Sequence, residues 1–332
     1  MNWPILILAI VLIVVLAIVA IKMSPGDDAA SSDDSPPPFP PLPRGPVGEL
    51  GQGMFTFGHL FRFDGSNWRC ELEPPPATEP VIAVKGSALG TFAVTWDAVY
   101  RRTPSGWDRI LDSKARLLSL WVDDENAWVG GARCVLMKWG GASFEQVPLP
   151  DLEPAVLGPI VVAASGDTFV AANTYILHGR GEDWTTEPIP TTDVVMDGCR
   201  TGDDVWFVVQ SGEVLRSAGD GTWTVEHRAE SSLGSICAAS NGELWAVGAI
   251  GQILRSSGDG TWISEDSGTE NQLLSVREVG GRIVVGDIRG TIHVRTPRGW
   301  EPIAGEARCE IRDFCASSDG LLVATSSFYE VS

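Results

Sequence analysis

The sequence predicts an all-β fold, a seven-bladed β-propeller closed by N- and C-terminal strands and preceded by one transmembrane helix. Three observations carry this. Aromatic residues recur at Trp68, Trp107, Phe144, Trp184, Trp223, Trp262 and Trp300, at intervals of 39, 37, 40, 39, 39 and 38 residues, about the length of one four-stranded blade. Each follows a short turn of Gly, Asp, Pro or Ser, with β-rich runs upstream. Residues 5–21, ILILAIVLIVVLAIVAI, form one unbroken apolar stretch. The chain therefore divides into a membrane anchor (1–23), a linker (24–50) and a propeller (51–332).

The apolar stretch is 17 residues long, at the short end of what spans a hydrocarbon core as a helix. A cleaved signal peptide is the alternative. It would need a positively charged start and a small-residue cleavage site directly after the run, and neither is present. A single-pass anchor is expected. The α-amino group on one side and Lys22 on the other nearly balance the positive-inside count, so orientation stays open; an extracytoplasmic propeller is the expectation.

From Ser24 the composition changes to SPGDDAASSDDSPPPFPPLPRGPVG. Such a segment cannot bury a core, and its prolines favour extended polyproline-type conformations. It predicts a stalk. A Pro-rich tract can also be a ligand for aromatic-lined grooves, but Arg44 alone supplies a basic residue beside its PxxP cores.

The repeat begins near Gly51. Turns such as TPSGW, SAGDGTW and SSGDGTW precede the recurring aromatics, and short strands such as AVYRR, EVLRS, QILRS and TIHVR precede the turns. Further upstream lie more apolar runs, FAVTW, VWFVV, LWAVG and RIVVG among them, suited to strands buried on both faces. The clearest unit is 241–262, NGELWAVGAIGQILRSSGDGTW. After Trp300 the run IRDFCASSDGLLVATSS supplies two strands, and residues 58–72 supply two more. Joining them closes the ring and removes the exposed sheet edges. Residues 53–57 also resemble a second strand, so either terminus can fill that place.

Formal charge is −19. A surface that acidic repels phosphate backbones, which excludes nucleic acid as an expected partner. The six cysteines form no CxxC pair. Cys199, Cys237 and Cys315 recur seven or eight residues before Trp206, Trp245 and Leu322, which predicts one repeated core position occupied by a small hydrophobe.

At SGDGTW (257–262), LWAVG (244–248) and SGTENQLLSV (267–276) the chain resembles the BNR or Asp-box propellers, in particular the branch containing the photosystem II stability and assembly factors. The resemblance covers Gly51 to the C-terminus and is strongest over 201–286. It implies seven blades, a place on the far side of a membrane, and a non-catalytic role as a binding platform in assembly of membrane complexes. The usual Asp-box sets Ser and Asp two positions apart; here Asp220 and Asp259 stand three after Ser217 and Ser256, and the other blades lack the box.

Asp-box repeats also occur in sialidases, so a glycan-binding or glycoside-active propeller is the alternative function. The FRIP-type motif is absent, the nearest match being FRFDG, and Tyr100 and Tyr175 fall on ordinary blade strands. Paired carboxylates can hydrolyse glycosides, but the densest sets, Asp123–Asp124–Glu125 and Asp203–Asp204, fall in turns. The histidines His59, His178, His227 and His293 lack metal-ligand spacing. Arg62, Arg101, Lys138, Arg216, Arg255 and Arg295 recur just before the turns and read as a solvated rim. No catalytic, cofactor-binding or metal residue is assigned, and a monomer is expected.

The loops between blades and between second and third strands converge around the axis on one face. Trp96, Asp97, Arg133, Asn173, Gln210, Asp287 and Arg289 are the candidate contacts there, chosen by position. The expected function is a membrane-tethered, protein-binding assembly scaffold in the cell envelope.

Overall fold

The computed structural model describes residues 56–63, 68–72, 80–150, 154–304, 309–317 and 320–328. The expected anchor and linker, residues 1–50, lie outside the described residues. Among the described residues no helix is long and apolar enough to cross a membrane.

Alternation of β-branched and aromatic residues with turn residues produces seven antiparallel sheets. Blades 1 to 6 cover 83–112, 117–146, 157–188, 195–228, 233–265 and 273–304, each four strands in sequential order. Blade 7 is composite. Glu310–Ser317 and Gly320–Phe328 are its first two strands, and Leu60–Phe63 and Trp68–Leu72 its last two. The C-terminus therefore fills the second-strand place, and Thr56–Phe57 pairs with the far end of that strand, Thr56 opposite Phe328. First strands touch their neighbours all the way round the ring, so they line the axis.

The core lies between blades rather than within them. Between blades 4 and 5, Trp206, Val208 and Val214 pack on Leu233, Ile236 and Leu244, all buried. In blades 2 to 6 the aromatic that opens the fourth strand reaches back to the second-strand aromatic of the preceding blade. Phe144 meets Phe92, Trp184 meets Trp128, Trp223 meets Phe169, Trp262 meets Trp206 and Trp300 meets Trp245, edge-on at centroid separations of 5.8–6.4 Å, the geometry aromatic quadrupoles favour. The 39-residue period is thus the period of an interblade contact.

The recurring basic residues are packing elements rather than a merely solvated rim. Arg101, Lys138, Arg216 and Arg255 stand directly across the ladder from Phe92, Trp128, Trp206 and Trp245. Each cation lies over its aromatic ring at 4.8–5.7 Å, a cation–π pairing. A carboxylate three residues after the fourth-strand Trp completes the device. Glu265 binds Arg295 at 2.7 Å and accepts from Trp300 Nε1 at 3.0 Å, both in blade 6. Glu187 accepts from Trp223 Nε1 at 2.8 Å and meets His178 Nδ1 at 2.5 Å.

The acidic turns are stitched as well. Asp123 accepts from the backbone N–H of Glu125 and Asn126 at 3.0 and 2.7 Å and from Trp121 Nε1 at 3.2 Å. Burial works against its charge, yet these donors hold its carboxyl below the usual range. Asp124 reaches Ala88 N, Asp203 reaches Ser165 N and Glu278 reaches Ser240 N, each tying one blade's turn to that of the blade before. Asp220 and Asp259 cap their own turns on Thr222 and Thr261. The cysteines behave as expected. Cys199, Cys237 and Cys315 are buried, free and directly opposite Trp206, Trp245 and Leu322. Burial pushes the Cys237 and Cys315 thiols up to about 12, which makes them unreactive.

Candidate functional site

Each first strand starts at the face bearing the interblade connections and runs to the opposite face. In blades 2 to 7 the ladder slips near that start, between Leu117 and Ser119, Leu157 and Ile160, Val195 and Asp197, Leu233 and Ser235, Leu273 and Ser275, and Ile311 and Asp313. A bulge re-aims side chains. Leu118 and Met196 are bulge residues and both are exposed, although large and apolar.

Just below the bulges the axis is crossed by a charge network from five consecutive blades. Arg277 Nη1 of blade 6 binds Asp197 Oδ2 of blade 4 at 3.0 Å, and its Nε lies 2.9 Å from Asp313 Oδ1 of blade 7, an ion-pair contact without hydrogen-bond alignment. Lys85 Nζ of blade 1 reaches Asp313 Oδ2 at 3.0 Å. Ser235 of blade 5 donates to Asp197 at 2.7 Å, and Ile236 N and Val84 N complete the carboxylate shells at 3.2 Å. Two cations and two anions make the plug neutral. Burial works to raise the Asp197 pKa; Arg277, Lys85 and the Ser235 bond overcome it and hold this carboxyl below the usual range. Burial, with Arg277 alongside, pushes the Lys85 ammonium down.

The sign of the pH dependence follows. A carboxyl depressed on folding adds stability above its unfolded pKa, and that stability is lost as pH falls through the folded value. Asp123, Asp197, Glu213, Glu265 and Asp287 are all depressed. Buried Glu310 is raised and opposes them. The thermal midpoint is expected to hold level down to about pH 5 and to fall below about pH 4, with a shallower fall in Asp197→Asn. A midpoint already dropping at neutral pH would contradict the depressed carboxyls.

The structure puts all seven candidate contacts on the loop face. These loops are stitched to the interblade connections by backbone bonds: Leu117 N to Trp96 O, Ala132 N to Arg116 O, Gln210 N to Val194 O, Ala249 N to Ser232 O, Gly251 N to Asn271 O and Ile288 N to Gln272 O, all 2.8–3.0 Å. Trp96 lies under the Arg116 guanidinium at 3.5 Å. Asp97 accepts from Thr95 and from Arg109 at 2.8 and 2.9 Å. Arg133, Asn173 and Arg289 are exposed and Gln210 is half-buried. Asp287 is different. Wholly buried, it accepts from Asn271 and from the N–H groups of Arg289 and Thr291, with His293 at 3.4 Å. It holds the turn rather than facing outward.

The apolar residues of this face escaped the sequence reading. Ile250 is 72% exposed, Val194 46%, and Val156 joins them between blades 2 and 3. Ile250 also has φ 55°, which is costly for a β-branched residue. The signal was available: an Ile at the tip of the Gly-Ala-Ile-Gly turn. Its neighbours fix that turn, because a Cβ on Gly248 would lie 1.9 Å from Ser232 O and one on Gly251 1.8 Å from Thr269 O. On the opposite face a cleft of about 190 Å³ is lined by Ser165, Asp167, Asp203 and Gly219; next to it His178 bridges Asp167 and Glu187.

No protein-family model matches the chain, and no curated protein sequence does. Solved structures do match. A streptogramin B lyase superposes with a TM-score of 0.68 at 15% identity, over 82% of this chain and 98% of the lyase. The virginiamycin B lyase of Staphylococcus aureus gives 0.64 at 13%, over 83% and 100%. YCF48 bound to D1 peptide gives 0.61 at 14%, over 78% and 96%. At these identities the likeness is one of fold, and the neighbours include both enzymes and a peptide binder.

Proposed function

We propose that this chain is a membrane-tethered, non-catalytic propeller that binds a protein partner through its loop face, as an assembly scaffold in the cell envelope. One observation carries the reading. At the axis, where a propeller enzyme would gather its reacting groups, cations and carboxylates from four blades are bound to one another, while the surrounding loop face presents Leu118, Val156, Val194, Met196 and Ile250 to solvent. Exposed apolar residues grouped on one face mark interaction surfaces. A propeller of the same fold, YCF48, holds a D1 peptide. The tether rests on the apolar run at 5–21, and the kinship with Asp-box propellers on the Asp220 and Asp259 turns.

The competing glycan-active reading would draw on the axial carboxylates. Arg277 and Lys85 already neutralise them, and a depressed Asp197 is a poor general acid.

Copurification from native membranes after mild crosslinking tests the proposal. A reproducible protein complex is expected, lost in Ile250→Glu and kept in Ile263→Glu, which changes an exposed residue on an outer strand. Recovery of the bare chain alone, or glycoside turnover abolished by Asp197→Asn, would overturn it.

A further inference from the structure

The exposed apolar residues of the loop face are bordered, over blades 4 to 6, by acids that have no cation. Ile250 stands between two interblade connections. Ala249 N bonds to Ser232 O on one side and Gly251 N to Asn271 O on the other; the first connection carries Glu230 and the second Asp266 and Glu270, all exposed. Asp193 precedes exposed Val194 and spends one oxygen on the Val194 N–H. Among the described residues Asp193, Glu230, Asp266 and Glu270 meet no cation. Other acids are treated differently: Glu71, Glu187, Glu226, Glu243 and Glu265, and Glu213 on this face itself, each meet an Arg or a His. The cations of this face are Lys114, Arg116 and Arg133 around blade 2, Arg228 of blade 4, which is held in an ion pair with Glu213, and Arg289 at the blade 6 edge.

We infer that the sector centred on Ile250 and Met196 docks a partner segment that combines apolar side chains with Lys or Arg. This rests on the protein-binding reading above and adds the partner's chemistry. The apolar residues supply area to bury, and the unpaired acids supply a field that favours cations and steers their approach. An anionic lipid surface would meet the same field as repulsion. A segment flanking a membrane span, where Lys and Arg border apolar residues, has the required composition.

The test uses the full chain in detergent micelles and three labelled peptides of equal length, made of Leu and Lys, of Leu and Glu, and of Ser and Lys. The Leu/Lys peptide is expected to bind, more weakly as salt rises, and the other two to bind far less. Met196→Ser with Ile250→Ser, and separately Glu230→Gln with Glu270→Gln, are each expected to raise its Kd at least about tenfold. Ile263→Ser with Asp183→Asn, away from this face, leaves the Kd unchanged. Equal binding of all three peptides, or equal loss in the distant pair, would overturn the inference. So would displacement of the peptide by phosphatidylglycerol vesicles, which would assign the surface to lipid. If the native complex still depends on Ile250 while the Leu/Lys peptide shows no preference, the partner's chemistry is wrong and the protein-binding reading stands.

Discussion

Trp206→Ala lowers the unfolding free energy by about 3–5 kcal/mol, the range for losing a large buried aromatic. Trp206 is 1% exposed and belongs to the blade 4–5 core. Its ring receives the edge of Trp262 at 6.4 Å and the guanidinium of Arg216 at 5.1 Å, and its Nε1 donates to Thr201 at 2.9 Å. The alanine loses all three and leaves a cavity that neighbouring blades cannot close, because both are held in a complete ring. Trp262→Ala should cost somewhat less, since its ring is only partly buried. The double variant should fall short of the sum by about 0.5–1.5 kcal/mol, the coupling of an aromatic pair in contact. Urea titrations of the three variants measure this, and strict additivity would mean that the rings do not support each other.

Arg277→Leu is expected to cost a similar amount, about 3–5 kcal/mol, for the opposite chemical reason. The substitution strands two carboxylates, of which Asp313 is nearly enclosed and Asp197 partly so. Lys85 remains bound to Asp313 alone. Adding Asp197→Asn should recover much of the loss, because an uncompensated charge is worse than a neutral amide at the same place. The pH response should also change sign. Without Arg277 the buried carboxylate favours its protonated form, so its folded pKa lies above the unfolded one and the deficit shrinks on acidification. A constant deficit across the acid range would show that the network holds the axis by packing rather than charge.

The two predictions separate what was legible in the sequence from what was not. The blades were legible because a repeated packing contact forces a repeated residue, and Trp184, Trp223 and Trp262 mark it at constant spacing. The core cysteines were legible for the same reason. Ring closure was legible only in part: the strands of 310–328 and 60–72 were identifiable, but pairing partners decide whether Thr56–Phe57 or the C-terminus fills the second place. The axial plug was not legible. Lys85, Asp197, Arg277 and Asp313 stand far apart in the chain with no common motif around them, and only the ring brings them together. The recurring basic residues were visible, yet the role of Lys138, Arg216 and Arg255 over Trp128, Trp206 and Trp245 depends on ladder register. Among the loop-face candidates, Asp287 misled because an acid in a turn reads as solvated when it is in fact folded inward. Ile250 was passed over because a single apolar residue in a loop carries no periodicity.

The central claim is that stability resides in the axis and between the blades while recognition resides on the loop face. Photo-crosslinking amino acids placed singly at Leu118, Asn173, Met196 and Ile250 on that face, and at Asp183, Asp220 and Arg298 on the opposite one, test it in intact cells. Adducts to one protein from the first group alone are expected; equal adducts from Asp183, Asp220 or Arg298, or none from the loop face, would contradict it.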